Sequence, residues 1–284
     1  MKIAFFGSSK YSVIVARTLN QEKDLELIVT NPDKPSGRKR QISPSQPKKF
    51  ALENNIPVET FDQLDPKAVD TIAKYKPDFL IVSDYGKILP PKLLQLPKYA
   101  SLNIHHSLLP KYRGPAPAPY AILNGDAKSG VTIISMTWDV DAGDILAQKE
   151  YVLKKDETTD SLLTRLNTLG AELLPSILDK FVKGKIETIK QSESKATYTN
   201  RISKEDGQID LKDPPNAQTL DRMIRAYYPW PNVWTKLAVN GKSLMVKFLP
   251  EGKIQPEGKR PMTTKEFLNG YPETEKMIRD LVSV

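Results

Sequence analysis

Cysteine is missing from this chain altogether, and histidine occurs only twice, side by side, as His105 and His106. Without cysteine there is no disulfide, no thiolate zinc centre and no thiol nucleophile. Two adjacent imidazoles are also too few for a histidine-rich metal site, so no metal is expected. Long apolar runs are absent as well, since no stretch approaches the roughly 20 apolar residues that cross a bilayer. The opening Met1-Lys-Ile-Ala-Phe-Phe starts like a secretory leader, but Ser8, Ser9, Lys10 and Tyr11 interrupt it before an apolar region of useful length forms. It reads as a first strand, and a soluble, cytoplasmic protein without membrane contact is expected. The turn after that strand is Gly7-Ser-Ser, not a full Gly-x-Gly-x-x-Gly, which argues against an NAD or NADP site.

What is present is basic and long enough for two domains. The formal charge of +8 and a pI near 9.3 over 284 residues suggest a polyanionic partner. Short apolar runs at 2–6, 25–30, 79–83 and 100–104 alternate with helically spaced segments at 11–20 and 66–74. That alternation predicts an α/β fold built on a doubly wound, Rossmann-like parallel sheet, whose reactive residues lie beyond the carboxyl ends of the strands. Leu162, Leu166, Leu169, Leu173 and Ile177 recur at helical spacing, so a long amphipathic helix is expected, capped by Thr158 or Thr159 and kinked at Pro175. The chain turns polar from 183 to 204. The expected division is a catalytic domain at 1–188, a linker at 189–205 and a smaller C-terminal domain at 206–284. In the last of these, a helix at 217–227 precedes two strands joined by Asn240-Gly241, a strong hairpin signal.

The segment 101–110, Ser-Leu-Asn-Ile-His-His-Ser-Leu-Leu-Pro, concentrates the chemistry. On a strand, Asn103 and His105 point to the same side and His106 to the other, so His106 is assigned a structural role. An imidazole beside a carboxamide suits acyl transfer: the first moves protons near neutral pH and the second donates to an oxygen that gains negative charge. The same pair also fits a turn cap and a satisfied core histidine. Thr137-Trp-Asp-Val-Asp-Ala-Gly-Asp144 follows another apolar run, and its carboxylates would orient a histidine or simply decorate a solvated turn.

Together, SLNIHHSLLPKYRGPAP and GVTIISMTWDVDAGDIL resemble the folate-dependent formyltransferase family, and the likeness is greatest to the members that formylate methionyl-tRNA. It extends through FFGSSKYS, PDKPSGRKR, DYGKILP, TYTNRISKEDGQID, IRAYYPWPNVW and QPEGKRPMTTKEFLNG. The resemblance implies catalytic roles for Asn103, His105 and Asp141, with 10-formyltetrahydrofolate as co-substrate and initiator methionyl-tRNA as partner. It places the folate on Tyr85, Gly86, Ile88, Leu89, Ser107, Leu108, Leu109, Pro110 and Asp144. Lys34, Gly37, Arg38, Lys39 and Arg40, in a long cationic connection between Asn31 and Lys49, would face the tRNA acceptor end, joined by Arg113, for which anchoring a turn is an equal reading.

Two departures stand out. The family commonly has an apolar residue where this chain has Asp84. It also has further strands between the hairpin and Gln-Pro-Glu-Gly-Lys, whereas here Leu249 reaches Gln255 almost at once. An OB-like C-terminal domain is therefore expected in shortened form, and a monomer is expected overall. The alternatives are formyl transfer to an aminosugar nucleotide and, from another class, a catalytically silent nucleic-acid-binding protein.

Overall fold

The computed structural model describes residues 1–36 and 41–282. Along the first part of the chain come β1 (Lys2–Phe6), α1 (Ser12–Glu22), β2 (Asp24–Thr30), β3 (Lys34–Ser36), β4 (Gln41–Ser43), α2 (Gln46–Glu53), β5 (Val58–Thr60) and α3 (Pro66–Ala73). Then follow β6 (Phe79–Val82), α4 (Pro91–Leu94), β7 (Ala100–His105), α5 (Pro117–Leu123), β8 (Lys128–Ser135), β9 (Ile145–Val152) and α6 (Thr159–Val182).

Seven of these strands form one sheet in the order β5-β2-β1-β6-β7-β8-β9. The strands from β5 to β7 are parallel, and the central β6 is apolar and buried at every position, Phe79–Val82, as a strand covered on both faces must be. Strand order reverses between β1 and β6, which puts the switch point of a doubly wound sheet at the ends of these two strands. Thr158 caps α6, its Oγ1 accepting from Ser161 N–H at 3.2 Å, and the helix runs unbroken through Pro175.

One expectation needs correcting. The sheet is not wholly parallel, because β8 runs against β7, with Leu102 opposite Ser135 and His105 opposite Thr132. The chain therefore leaves β8 beside the start of β7, not its end. The loop from 136 to 144 must fold back to bring Asp141 near His105. The connection between Asn31 and Lys49 also contains regular structure. Residues Lys34–Ser36 pair with Gln41–Ser43, and Ser45 then caps α2, its Oγ accepting from Lys48 N–H at 3.2 Å.

Two compact units divide the chain. The first comprises Met1–Pro117, Ser129–Tyr151 and Leu163–Thr199; the second comprises Ala118–Lys128, Val152–Leu162 and the chain from Asn200 on. In the second lie α7 (Ala217–Ala226), β10 (Val233–Val239), β11 (Lys242–Leu249), β12 (Lys253–Pro256), β13 (Met262–Thr263), α8 (Thr264–Gly270) and α9 (Glu275–Val282). The Asn-Gly hairpin forms as expected: Asn240 and Gly241 have φ of 50° and 74°, and Val239 pairs with Lys242. The antiparallel sheet β10-β11-β12-β13 has four strands, fewer than a closed five-stranded barrel. Phe267 from α8 and Ile278 from α9 complete the core with Val233, Leu237, Val246 and Phe248.

Candidate active site

β7 carries the first two groups. Asn103 lies opposite Val82, the last residue of β6, and is half-buried, while His105, two residues on, is buried at 5% exposure. The third group arrives on the returning loop. Asp141 Oδ1 accepts from Asn103 Nδ2 at 3.2 Å, Asp141 Oδ2 lies 3.5 Å from His105 Nδ1, and the same oxygen accepts from Gly114 N–H at 2.8 Å. One carboxylate thus holds the carboxamide, the imidazole and a backbone amide together. The other ring nitrogen of His105 is 2.8 Å from the Tyr112 carbonyl. Both nitrogens therefore face oxygen acceptors, and only a ring protonated at both can donate to both.

Close backbone contacts enforce this approach. Asp141 sits at φ 51°, a left-handed conformation that costs a non-glycine residue roughly 1–2 kcal/mol and persists only when its surroundings hold it. A Cβ on Gly143 would stand 1.7 Å from the Ser135 carbonyl, so the loop closes on β8 only with glycine there. Gly114, at φ +110° with the Thr199 carbonyl against its face, is the matching position on the other side.

Residues that the sequence did not single out brace both sides. Gln191 Nε2 donates to the carbonyls of Asp141 and Gly143, each at 2.7 Å, while its Oε1 accepts from Arg113 Nε at 3.0 Å. Arg113 is 2% exposed, forks onto Glu193 at 2.7 and 2.9 Å, and reaches Tyr198 Oη at 3.3 Å. The carboxylate of Glu193 raises the pKa of this guanidinium further. Of the two readings the sequence left open for Arg113, this geometry fits the turn anchor, since its donors are taken by Gln191, Tyr198 and the exposed Glu193 carboxylate. The only available signal for Gln191 was its place in the polar run read as a linker.

The residues expected to hold folate fall into two groups. Gly86 and Ile88 are exposed, Ile88 at 73%, on the loop that follows β6. Tyr85, Leu89, Ser107 and Leu109 are buried. Tyr85 packs edge-on against Phe6 with ring centroids 5.3 Å apart, and burial pushes its pKa up to about 12. Thr132 Oγ1 accepts from Leu109 N–H at 3.1 Å and donates to the Ser107 carbonyl at 2.6 Å, pinning the Ser-Leu-Leu-Pro turn. Leu108 packs against Gly130, Pro110 accepts from Thr197 N–H at 3.2 Å, and the Asp144 carboxylate takes a bond from Thr188 at 3.3 Å.

Of the cationic residues, Lys34 is described only as backbone in β3, and Gly37, Arg38, Lys39 and Arg40 lie outside the described residues. Lys48 pairs with Asp33 at 2.8 Å. No helix among the described residues is long and apolar enough to cross a membrane.

Residues 1–178 match the family described as Formyl transferase, and residues 201–251 match Formyl transferase, C-terminal domain. A methionyl-tRNA formyltransferase of Listeria monocytogenes serotype 4a is 40% identical over 83% of this chain and 75% of its own length. The chain belongs to the methionyl-tRNA formyltransferase family. The enzyme of that name from Geobacillus sp. is 34% identical, with 95% of this chain and 94% of the relative covered. That alignment runs to 302 positions against 284 residues here, so the relative holds residues with no counterpart in this formyltransferase. A crystal structure of an N-formyltransferase from Helicobacter canadensis, in complex with folinic acid and dTDP-3-aminofucose, shares the fold. Its TM-score is 0.62 and its identity 18%, over 89% of this chain and 94% of that one.

Proposed function

We propose that this formyltransferase moves a formyl group from 10-formyltetrahydrofolate to the α-amino group of methionine esterified to initiator tRNA. The observation that carries the reading is the meeting of Asn103 and His105 on the carboxylate of Asp141, at 3.2 and 3.5 Å. Formyl transfer needs a donor for an oxygen that gains negative charge and a group that takes a proton from the attacking amine. Asn103 keeps one amide N–H beyond the one it gives to Asp141, and that N–H supplies the first requirement. His105 and Asp141 supply the second: the carboxylate fixes the imidazole's orientation while the amine's proton passes on to the folate nitrogen, whose bond to the formyl carbon breaks as the new C–N bond forms.

The residues around the β6 and β7 ends fit a flat heteroaromatic donor. The bare backbone of Gly86 and the exposed side chain of Ile88 follow directly from Val82, which is level with Asn103. Bound there, the folate supplies the formyl group as a carboxamide-like acyl donor. No metal is called on. The buried Tyr85, Leu89 and Leu109 act beneath the site by seating the loops. On the acceptor side, the cationic run that contains Lys34, Gly37, Arg38, Lys39 and Arg40 is proposed to meet acceptor-end phosphates through charge.

The test offers purified protein 10-formyltetrahydrofolate with charged initiator tRNA in one reaction and an aminosugar nucleotide in another. Formylmethionyl-tRNA is the expected product. Formylation of the sugar nucleotide alone, or of neither acceptor, overturns the reading.

A further inference from the structure

His106, which the proposed chemistry does not use, faces a carboxylate of its own. Its Nδ1 is 3.4 Å from Asp84 Oδ1, while Asp84 Oδ2 accepts from Ser9 Oγ at 2.9 Å and from Asn167 Nδ2 at 3.2 Å. Asn167 is fully buried and accepts from Ser83 Oγ at 2.8 Å. The Asp84 carbonyl accepts from Ser8 N–H at 3.1 Å. A single residue thereby joins the segments that follow β1, β6 and β7 to helix α6. The junction sits at the ends of β1 and β6, where the strand order reverses and doubly wound sheets take their ligands.

Desolvating an imidazole and a carboxylate is unfavourable unless hydrogen bonds offset it, and apolar residues would fill the same space without that penalty. What apolar packing does not supply is direction. Asp84 stands at φ 52°, left-handed for a residue with a Cβ, and its three side-chain partners hold it there. Residues 85–89 leave the sheet from this bend.

We propose that His106 and Asp84 are a positioning pair for the formyl donor: by holding Asp84 in its left-handed bend, they set the loop 85–89 against the strand end that bears Asn103 and His105. The proposal rests on the formyl-transfer reading. It assigns neither residue a contact with the reacting atoms.

The test measures binding of 5-formyltetrahydrofolate by calorimetry, together with kcat and the KM for each substrate. In His106→Ala, binding and the KM for the formyl donor are expected to weaken about tenfold, equivalent to about 1.4 kcal/mol, with kcat and the KM for tRNA held within about twofold. His106→Asn places an amide N–H where Nδ1–H stood and is expected to restore most of the affinity. Should His106→Ala fail to fold, Asp84→Gly, which tolerates the bend but lacks the carboxylate, carries the same expectation. Unchanged folate binding in these variants overturns the proposal. So does an Asn variant as weak as the Ala variant, or a loss confined to kcat. A parent protein that binds no formylfolate overturns the functional reading itself, which separates the two failures.

Discussion

The two histidines are neighbours in sequence and identical in chemistry, yet their surroundings give them opposite properties. His105 turns both nitrogens toward oxygen acceptors, the Tyr112 carbonyl at 2.8 Å and Asp141 at 3.5 Å. His106 turns one nitrogen toward Asp84, and its Nε2 is buried with no partner among the described residues. Burial pushes the pKa of His106 below its ordinary 6.5 and His105 pushes the same way, against the pull of Asp84, a hydrogen bond with Asn167, and Asp141. At neutral pH, His106 is therefore uncharged. The difference in partners follows not from the residue type but from the acceptors that the fold brings to each ring.

The largest test of that contrast is substitution at each position in turn. His105→Ala is expected to lower kcat about a thousandfold, the scale of a lost acid–base group, while His106→Ala leaves kcat nearly intact. Steady-state kinetics showing the reverse order would break the comparison. Asn103→Ala comes next, with kcat down about a hundredfold through loss of one donor to a developing negative charge. An unchanged KM for formylfolate would place the loss in the chemical step, and a loss carried wholly by KM would count against the role.

Gly143→Ala sharpens the comparison from the other side, because it disturbs only the route by which Asp141 reaches His105. A Cβ 1.7 Å from the Ser135 carbonyl forces the loop off β8. A stability loss of about 2 kcal/mol in urea denaturation is expected, with a fall in kcat and little change in folate affinity. Full activity in this variant would show that the loop is not held as described.

The smallest effect is in the pH dependence of stability. Between 6.5 and the lower folded pKa of His106, the unfolded chain binds more protons than the folded one, so stability rises with pH across that window and is lost as pH falls through 6.5. His106→Asn removes this component, so its urea midpoint is expected to decline less than the parent's between pH 7 and 5. Parallel curves would mean that His106 is not held neutral.

Much of the layout was legible in the residues. The runs at 2–6, 79–83 and 100–104 became central parallel strands because each is predominantly apolar and buried, with polar residues such as Lys2 and Asn103 at only a few positions. The side-chain alternation that separates Asn103 and His105 from His106 held in the form of two different carboxylate partners. Asn240-Gly241 made its hairpin because both positions need left-handed backbone. The reversal of β8 left no such trace, since an apolar run reads alike in either direction. Gln191 gave no signal either, as a glutamine in a polar segment looks the same whether solvated or spanning two loops.

The chain alone determined which residue types were available for chemistry, where the strands and the helix 162–177 would form, and which side of β7 each histidine would take, because propensity, periodicity and alternation are local. Only the tertiary structure decided which carboxylate meets which imidazole, that Arg113 is braced inward, and that the loop carrying Asp141 returns along the sheet. Those outcomes depend on hydrogen bonds between segments tens of residues apart, and their geometry exists only once the sheet has assembled.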